Sequence, residues 1–212
     1  MITCFSRDDF TGYLDALAGT DERIGEIIKA TGYPPFQDRP GGFEGLVRII
    51  LEQQVSLSSA FSVFTSLKRE IRLTPEAVNN ATDDQLRALG ITRQKTRYIK
   101  LLAGEILENR LDLNTLATLP DREVKHRLTA LTGIGPWTAD IYLLMGLNRL
   151  DIFPVGDLAL RKAMVSLEFA SPGDDRQAMV EKARAFAPYR SMFSCLLWHW
   201  YICENKIKVP GS

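Results

Sequence analysis

Hydrophobic residues recur every three or four positions along almost the whole chain, which is the period of an amphipathic helix. Phe10, Leu14 and Leu17 share one helical face in this way. The same spacing returns in residues 24–28, 46–53, 57–64, 99–106 and 124–131. No segment shows the strict alternation of polar and apolar residues that is typical of a half-buried strand. We therefore predict an all-α fold.

The composition is that of a folded protein with one compact domain or two small lobes. Of the 212 residues, 45% are hydrophobic, which is too many for a disordered chain, and no apolar run approaches the ~20 residues of a membrane span. The 26 Lys and Arg residues balance the 26 Asp and Glu residues, which argues against a protein that coats nucleic acid non-specifically. The three cysteines argue against a disulfide framework, and we expect Cys195 and Cys203 to be buried as small hydrophobic residues.

Turn and cap signals separate the predicted helices. Residues 32–42 form a loop by their proline and glycine content. Thr74-Pro75 is typical of a helix start, and residues 82–85 (TDDQ) match a capping box. The last helix, which begins near Arg190, is apolar on nearly all sides, so we predict that it is buried.

Residues 131–139 (LTGIGPWTA) form the first candidate functional motif. A helix ends there, Gly133 and Gly135 allow a tight turn, and a new helix begins at Pro136. The unpaired amides of that second helix favour an anion at the turn. An ordinary glycine-capped helical hairpin explains the same residues, so both interpretations stay open.

Asp157 is the second candidate. It follows residues 153–156 (FPVG) and stands directly before an apolar helix, where an N-cap aspartate is common. A carboxylate in a cleft could also take part in catalysis. The two roles are compatible, because a residue whose backbone caps a helix can still direct its side chain into a cleft.

The order of these motifs resembles the helix–hairpin–helix DNA glycosylase superfamily. In that superfamily a helical hairpin is followed by a Gly/Pro-rich loop and a catalytic aspartate, as residues 131–139 are followed here by Asp157. Further stretches resemble family segments, in chain order 51–56 (LEQQVS), 90–97 (GITRQKTR), 188–190 (PYR) and 198–201 (WHWY). The resemblance extends from about residue 43 to residue 201.

Trp137 indicates the branch of the superfamily. Members that cleave the DNA strand carry a lysine at this position of the hairpin, and that lysine forms a Schiff base with the sugar. Trp137 has no such amine, so the resemblance implies a monofunctional enzyme. With Trp198 and Trp200 near its end, the chain resembles the 3-methyladenine DNA glycosylase II branch. The four-cysteine iron–sulfur loop of the endonuclease III branch has no counterpart in this sequence.

The resemblance implies two helical lobes with an active-site cleft between them. We expect residues 43–155 to form a helical barrel lobe that contains the hairpin. Residues 1–42 and 156–212 would then form a second helical lobe built from both termini. The cleft is expected to hold Asp157, Trp137 and Trp200.

By the same resemblance, the substrate would be double-stranded DNA with alkylated bases of the 3-methyladenine type. The target base must leave the stack and enter a pocket, where electron-rich rings attract a cationic alkylated base. The resemblance implies Asp157 as the catalytic carboxylate, which stabilises the sugar cation while the N-glycosidic bond is hydrolysed. The candidate base-pocket residues are Trp137, Trp200, Gln53, Tyr142 and Phe36.

Two glutamines and one basic face leave alternatives open. Gln53 stands on an otherwise apolar helix face, so it needs hydrogen-bond partners, and it either lines the pocket or bonds a nearby loop. Gln54 aligns with the family position that fills the gap left by the extruded base, where relatives can use an apolar wedge. Arg93, Arg97 and Lys100 share a helical face, which either contacts phosphates or is an ordinary solvated face.

The hairpin is expected to grip the DNA backbone. The predicted DNA-binding residues are Gly133, Ile134, Gly135, Thr138 and Gln54. In the family such a loop holds Na⁺ or K⁺ through backbone carbonyls, which would here belong to Thr129, Leu131 and Ile134. We expect no other cofactor.

Three other functions stay open on the sequence alone. They are a glycosylase with another base specificity, a helix–hairpin–helix protein that binds DNA without catalysis, and an all-α interaction protein. The carboxylate of Asp157 argues against plain DNA binding, because it would repel the phosphates. We expect a monomer without a membrane partner, in the cytoplasmic nucleoid of a prokaryote or the nucleus of a eukaryote.

Overall fold

The computed structural model describes residues 3–210 of the chain. Within these residues it contains thirteen α-helices, one π-helical turn and one 3-10 turn. The only β pairing in the same range is an isolated antiparallel bridge between Cys4 and Arg149. The predicted all-α fold is therefore confirmed. None of the described helices is both long and apolar enough to cross a membrane.

The helices follow one another along the chain with short connections. The first seven are α1 (Phe10–Ala18), α2 (Glu22–Thr31), α3 (Gly42–Glu52), α4 (Leu57–Glu70), α5 (Pro75–Asn80), α6 (Asp83–Ala88) and α7 (Arg93–Leu107). The other six are α8 (Leu113–Thr118), α9 (Asp121–Thr129), α10 (Pro136–Ile141), α11 (Leu158–Ser166), α12 (Arg176–Ala183) and α13 (Arg190–Glu204). The π-helical turn (Tyr142–Gly146) continues α10, and the 3-10 turn (Arg184–Phe186) follows α12.

Local signals in the sequence explain where several helices begin. Thr82 starts α6 through a full capping box: its hydroxyl accepts from the Gln85 amide at 3.1 Å, and the Gln85 side chain accepts from the Thr82 amide at 2.8 Å. Pro75 occupies the first turn of α5, behind the Thr74 cap. Both predicted helix starts are therefore confirmed.

The chain divides into two compact units, which we describe separately. The middle unit contains residues 39–142 with 209–210. The terminal unit contains residues 3–38 with 143–208. Each unit has its own set of packed helices and its own hydrophobic core.

The end of the middle unit differs from the boundary predicted at residue 155. Residues 143–155 belong to the terminal unit. Their backbone pairs with distant parts of that unit: the Leu150 amide donates to the Thr3 carbonyl oxygen, and the Leu150 carbonyl oxygen accepts from the Ser191 amide, both at 3.0 Å. The boundary therefore follows long-range pairing, which a local sequence pattern does not contain.

α7 is the central helix of the middle unit and packs against α3, α5 and α6. Its apolar face, which includes Ile99, Leu102 and Ala103, is buried. Burial of a Leu or Ile side chain stabilises the fold by about 1.5–3 kcal/mol. The packing also joins α7 to the end of α3, because Lys95 Nζ donates to the Leu51 carbonyl oxygen at 2.8 Å.

α13 is the central helix of the terminal unit and packs against α1, α2 and α11. The prediction that this last helix is buried holds for residues 191–197 only, because residues 198–204 are half-buried or exposed. In the buried half, the Phe193 ring stacks on Phe186 with 4.0 Å between centroids and meets Phe169 edge to face at 5.1 Å. Cys195 is buried as expected. The expectation for Cys203 is wrong, because this residue lies exposed in the last turn of α13, beyond the buried half of the helix.

Candidate functional site

The predicted helical hairpin is present in the middle unit. α9 ends at Thr129, α10 begins at Pro136, and residues 130–135, which we call the hairpin loop, connect them. The Ile134 amide donates to the Leu131 carbonyl oxygen at 3.1 Å and closes a turn. The Ile134 side chain is buried, so it anchors the loop and leaves only the Ile134 backbone as a group for DNA binding.

The two glycines of the hairpin loop are needed to different degrees. Gly133 has a φ of +92°, and a Cβ there would lie 2.2 Å from the Tyr98 ring. Tyr98 is itself held by Gln94, whose Nε2 donates to the phenol oxygen at 2.6 Å. Gly135 has a φ of −93°, and apart from Gly135 itself and its neighbours along the chain, no described atom lies within 4 Å of the Cβ that it lacks. Only Gly133 is therefore required by both backbone conformation and space.

Gln53 joins the end of α3 to the hairpin loop. Its Nε2 donates to the Gly133 carbonyl oxygen and to Thr138 Oγ1, both at 2.9 Å. Of the two interpretations of Gln53, the structure shows the bond to a nearby loop, and the role in a base pocket stays a prediction. Thr138 was predicted to bind DNA, but only 2% of the residue is exposed and its hydroxyl accepts from Gln53.

Gln54 is exposed on the segment between α3 and α4. Its φ of +55° is a left-handed conformation that is uncommon for residues other than glycine. Ser56, which ends this segment, caps α4 by accepting from the Ser59 amide at 3.3 Å. Before this segment, near the end of α3, the Leu51 carbonyl oxygen accepts a hydrogen bond from Lys95 Nζ. Burial lowers the pKa of the Lys95 ammonium. The Gln54 side chain is accessible, and its gap-filling role stays a prediction.

Asp157 caps α11 in the terminal unit. Its Oδ1 accepts from the Ala159 amide at 2.9 Å and from the Leu160 amide at 3.1 Å. Its own amide donates to the Pro154 carbonyl oxygen at 2.9 Å. The helix-cap interpretation is therefore confirmed. The residue is half-buried, and both amides are bound by the same carboxylate oxygen, while the catalytic role of Asp157 stays a prediction.

An ion pair holds residues 149–156, which we call the connector and which lead to Asp157. The Arg190 guanidinium, at the start of α13, donates to both carboxylate oxygens of Asp151, at 2.6 and 2.8 Å. This bidentate geometry is the strong form of an Arg–carboxylate contact. The sequence pattern did not indicate this pair. Arg190 stands in the family-like stretch 188–190, but nothing in that stretch shows that its partner lies 39 residues earlier.

The side-chain hydroxyl of Ser191 also holds the connector, by hydrogen bonds to the backbone of the connector. Its hydroxyl donates to the Arg149 carbonyl oxygen at 2.5 Å and accepts from the Ile152 amide at 3.0 Å. The connector is irregular and largely buried, so its backbone polar groups need partners outside helices and sheets. The first turn of α13 supplies them.

The aromatic candidates for the base pocket differ in exposure. Trp137 is half-buried in the first turn of α10, and Trp200 is half-buried in α13. Tyr142 belongs to the middle unit, lies beside Gly45 and is 0% exposed, and burial raises the pKa of its phenol. Its ring thus has no exposed face in this structure. The base-pocket roles of all three residues stay predictions. The cleft also stays a prediction, since Trp137 belongs to the middle unit and Trp200 to the terminal unit.

Phe36 lies in an aromatic cluster of the terminal unit. Its ring meets Phe5 and Phe10 edge to face, with centroids 6.2 and 5.5 Å apart. The Arg7 guanidinium lies 4.8 Å from the centre of the same ring. These contacts give Phe36 a packing role within its unit, and its place in a base pocket stays a prediction.

The basic face of α7 is only partly available for phosphates. Lys100 forms an ion pair with Asp83 at 3.0 Å, while Arg93 and Arg97 are exposed. Within residues 3–210, no group of three or more His, Cys, Asp or Glu side chains is placed to hold a metal ion. The predicted alkali cation would instead use backbone carbonyls, and of these the Leu131 oxygen accepts from the Ile134 amide.

The amino-acid sequence that contains these elements matches a known protein family. Residues 47–188 match the HhH-GPD superfamily, whose members are base excision DNA repair proteins. The match covers more than half of the chain and includes the hairpin loop and Asp157. The chain belongs to the HhH-GPD superfamily. This match confirms the resemblance of the sequence to the helix–hairpin–helix DNA glycosylase superfamily.

The HhH-GPD protein is similar to named glycosylases over most of its length. It is 27% identical to DNA-3-methyladenine glycosylase 1 of Schizosaccharomyces pombe over 190 residues, which cover 86% of this chain and 83% of the relative. The crystal structure of a DNA-3-methyladenine glycosidase from Bacillus halodurans matches it with a TM-score of 0.77 at 27% identity, covering 97% of this chain and 95% of that one.

A third similarity concerns the fold alone. The structure of the 3-methyladenine DNA glycosylase of Schizosaccharomyces pombe in complex with abasic DNA has a TM-score of 0.81 at 23% identity. It covers 92% of this chain and 97% of that one. The family match and the two similarities at 27% identity confirm the predicted enzyme class, a DNA repair glycosylase.

Proposed function

We propose that this HhH-GPD protein excises alkylated bases of the 3-methyladenine type from double-stranded DNA and leaves the strand intact. The observation that carries the proposal is that Asp157 is fixed at the start of α11 by two amide hydrogen bonds and follows, along the chain, a hairpin helix that begins Pro136-Trp137. The names of the relatives support the alkylated substrate. The protein acts as a monomer in the compartment that holds the DNA.

Recognition of the damaged base follows from its charge. A base in duplex DNA must be extruded, at a cost of a few kcal/mol, before an enzyme can reach it. Alkylation of a ring nitrogen makes the base cationic, so an aromatic face attracts it more strongly than an undamaged base. Trp137 and Trp200 are the proposed faces, because both are indoles, the best rings for this attraction, and both are half-buried with part of the residue accessible.

Asp157 is the proposed catalytic carboxylate. When the bond between the sugar carbon and the base nitrogen breaks, its electron pair leaves with the base and the sugar becomes an oxocarbenium-like cation. The negative charge of Asp157, held in one orientation by the Ala159 and Leu160 amides, stabilises that cation. Water then adds its oxygen to the sugar carbon and loses a proton to solvent. One carboxylate suffices, because a cationic base is already a good leaving group.

Trp137 supports hydrolysis without strand cleavage. Strand cleavage through a Schiff base needs a nucleophilic amine at the reacting sugar. The side chain at this position of the hairpin is an indole, which cannot form an imine. The proposed product is therefore an abasic site in an intact strand.

The hairpin loop is the proposed DNA grip. The backbone of its exposed residues Thr132 and Gly135 is available to a phosphate, and such contacts position DNA without reading its sequence. We extend the proposal to a Na⁺ or K⁺ held by the carbonyl oxygens of Thr129, Leu131 and Ile134. Neutral carbonyl oxygens are suitable ligands for alkali cations, and the Leu131 oxygen keeps a second lone pair beside its bond to Ile134. The cation would supply positive charge next to the phosphate.

The direct test is incubation of the protein with methylated duplex DNA, followed by identification of the released bases. We expect release of 3-methyladenine and no strand break until the abasic site is treated with alkali. A panel of duplexes with mismatched or deaminated bases distinguishes another base specificity. Duplex binding without release of any base would show instead a non-catalytic helix–hairpin–helix protein.

A further inference from the structure

Gln53 directs both hydrogens of its amide group to the hairpin. Nε2 lies 2.9 Å from the Gly133 carbonyl oxygen and 2.9 Å from Thr138 Oγ1. Because a carbonyl oxygen can only accept a hydrogen bond, the atom that faces Gly133 must be the amide nitrogen rather than the amide oxygen. The two contacts use both hydrogens of the NH2 group. The nitrogen therefore has none left for an extruded base.

These two bonds act on the part of the hairpin with the most demanding backbone. Gly133 has the left-handed conformation and lies against the Tyr98 ring, so its carbonyl orientation depends on its neighbours. Thr138 is buried in the first turn of α10. Gln53 thus connects the end of α3 both to the hairpin loop, 80 residues later in the sequence, and to α10, 85 residues later.

We propose that Gln53 is a positioning residue for DNA binding by the hairpin loop and not a hydrogen-bond donor to the excised base. The proposal rests on the proposed binding of DNA by this loop. Without the two donors, the Gly133 carbonyl loses a partner and its peptide group is free to turn. Affinity for any duplex then falls, while the chemistry at Asp157 continues once DNA is bound.

The test compares two identical exchanges in the middle unit. Gln53→Met keeps the length of the side chain and removes both donors. Gln85→Met is the matched control, because it removes the 2.8 Å bond to the Thr82 amide in the capping box of α6, outside the proposed DNA grip. For each variant, fluorescence anisotropy measures affinity for an undamaged and a methylated duplex. Single-turnover excision at saturating enzyme measures the chemistry, and thermal melting measures the fold.

We expect Gln53→Met to weaken binding of both duplexes by the same factor, roughly tenfold for two lost hydrogen bonds. Its excision rate at saturating enzyme should stay within about twofold of wild type, because the lost interaction serves binding rather than the transition state. Gln85→Met should lower the melting temperature and leave affinity unchanged. Thr138→Val, which removes one of the two acceptors, should weaken binding in the same direction but less.

Unchanged affinity of Gln53→Met for the undamaged duplex overturns the proposal. A slower excision at saturating enzyme, with a changed preference among alkylated bases, also overturns it and places Gln53 in the base pocket. If Gln53→Met does not fold, the affinity of Thr138→Val decides in its place. If the wild-type protein binds no duplex, the proposed function of the hairpin loop fails, whereas wild-type binding together with an unaffected Gln53→Met refutes the positioning role alone.

Discussion

At the scale of the single residue, Asp157 has a structural and a proposed catalytic task that one substitution can separate. Asn caps helices as well as Asp, so Asp157→Asn should change the free energy of unfolding by less than about 0.5 kcal/mol. The substitution removes the charge that would stabilise the sugar cation, and we expect excision to slow by about 10²–10³-fold. DNA affinity should be unchanged or higher, because a carboxylate repels phosphates. Single-turnover excision and a gel-shift titration with the same protein measure both effects.

Asp175 provides the matched control for this prediction. It caps α12 in the same unit by accepting from the Ala178 amide at 2.8 Å, and it is exposed. Asp175→Asn should leave both stability and excision at the wild-type level. Excision by folded Asp157→Asn at the wild-type rate would show that Asp157 is only a helix cap.

The two glycines of the hairpin loop form a second pair for comparison. Gly133→Ala would place a Cβ 2.2 Å from the Tyr98 ring in a left-handed conformation that alone costs about 1–2 kcal/mol. We expect it to distort the loop and to weaken binding of damaged and undamaged duplexes alike, since phosphate contacts do not read sequence. Gly135→Ala meets open space in the free protein, so it should leave the loop conformation unchanged and weaken binding less than Gly133→Ala. Anisotropy titrations measure both, and a folded Gly133→Ala that binds undamaged duplex normally would refute the anion-site interpretation.

At the scale of the elements, the first turn of α13 determines where the connector before Asp157 lies. Loss of the bidentate contact in Arg190→Ala should lower the free energy of unfolding by about 1–2 kcal/mol, allowing for the partial exposure of the pair. Because the connector carries Asp157, we also expect excision to slow by roughly tenfold at saturating enzyme. Asp151→Ala should behave similarly, and the double variant should be no worse than either single one. Urea unfolding and single-turnover assays measure the cycle.

Arg184 supplies the control for the connector. It pairs with Glu181 at 2.7 Å in the same unit, with 65% and 45% of the two side chains exposed. Such a surface pair contributes little, so Arg184→Ala should change the free energy of unfolding by less than about 0.5 kcal/mol and leave excision unchanged. If the double variant loses as much free energy of unfolding as Arg190→Ala and Asp151→Ala together, the two residues do not act through each other.

At the scale of the whole molecule, Trp137 predicts the type of product. Incubation with methylated duplex and borohydride should trap no covalent complex, because no imine forms. The abasic strand should stay intact until it is heated in alkali. A bifunctional relative run in parallel controls for the trapping chemistry. A borohydride-dependent adduct of this protein would refute the monofunctional mechanism.

The sequence alone was sufficient for the features that depend on residues close together in the chain. Helical periodicity predicted the all-α fold, and the capping box at Thr82 and the cap at Asp157 involve partners two or three residues away. The hairpin was also predictable, because Gly133 permits the left-handed conformation of a tight turn and Pro136 fixes its own φ at the start of a helix. Such interactions join residues only a few positions apart, so the sequence pattern itself indicates them.

Only the tertiary structure decided which distant residues meet. The bonds from Gln53 cross 80 and 85 residues, and the Arg190–Asp151 pair crosses 39, so no local pattern predicts them. The full burial of Tyr142 and the terminal-unit membership of residues 143–155 have the same origin. Periodicity shows that a face is apolar but not what covers it, and a polar side chain shows that it needs a partner but not which one. Those choices depend on how the helices pack.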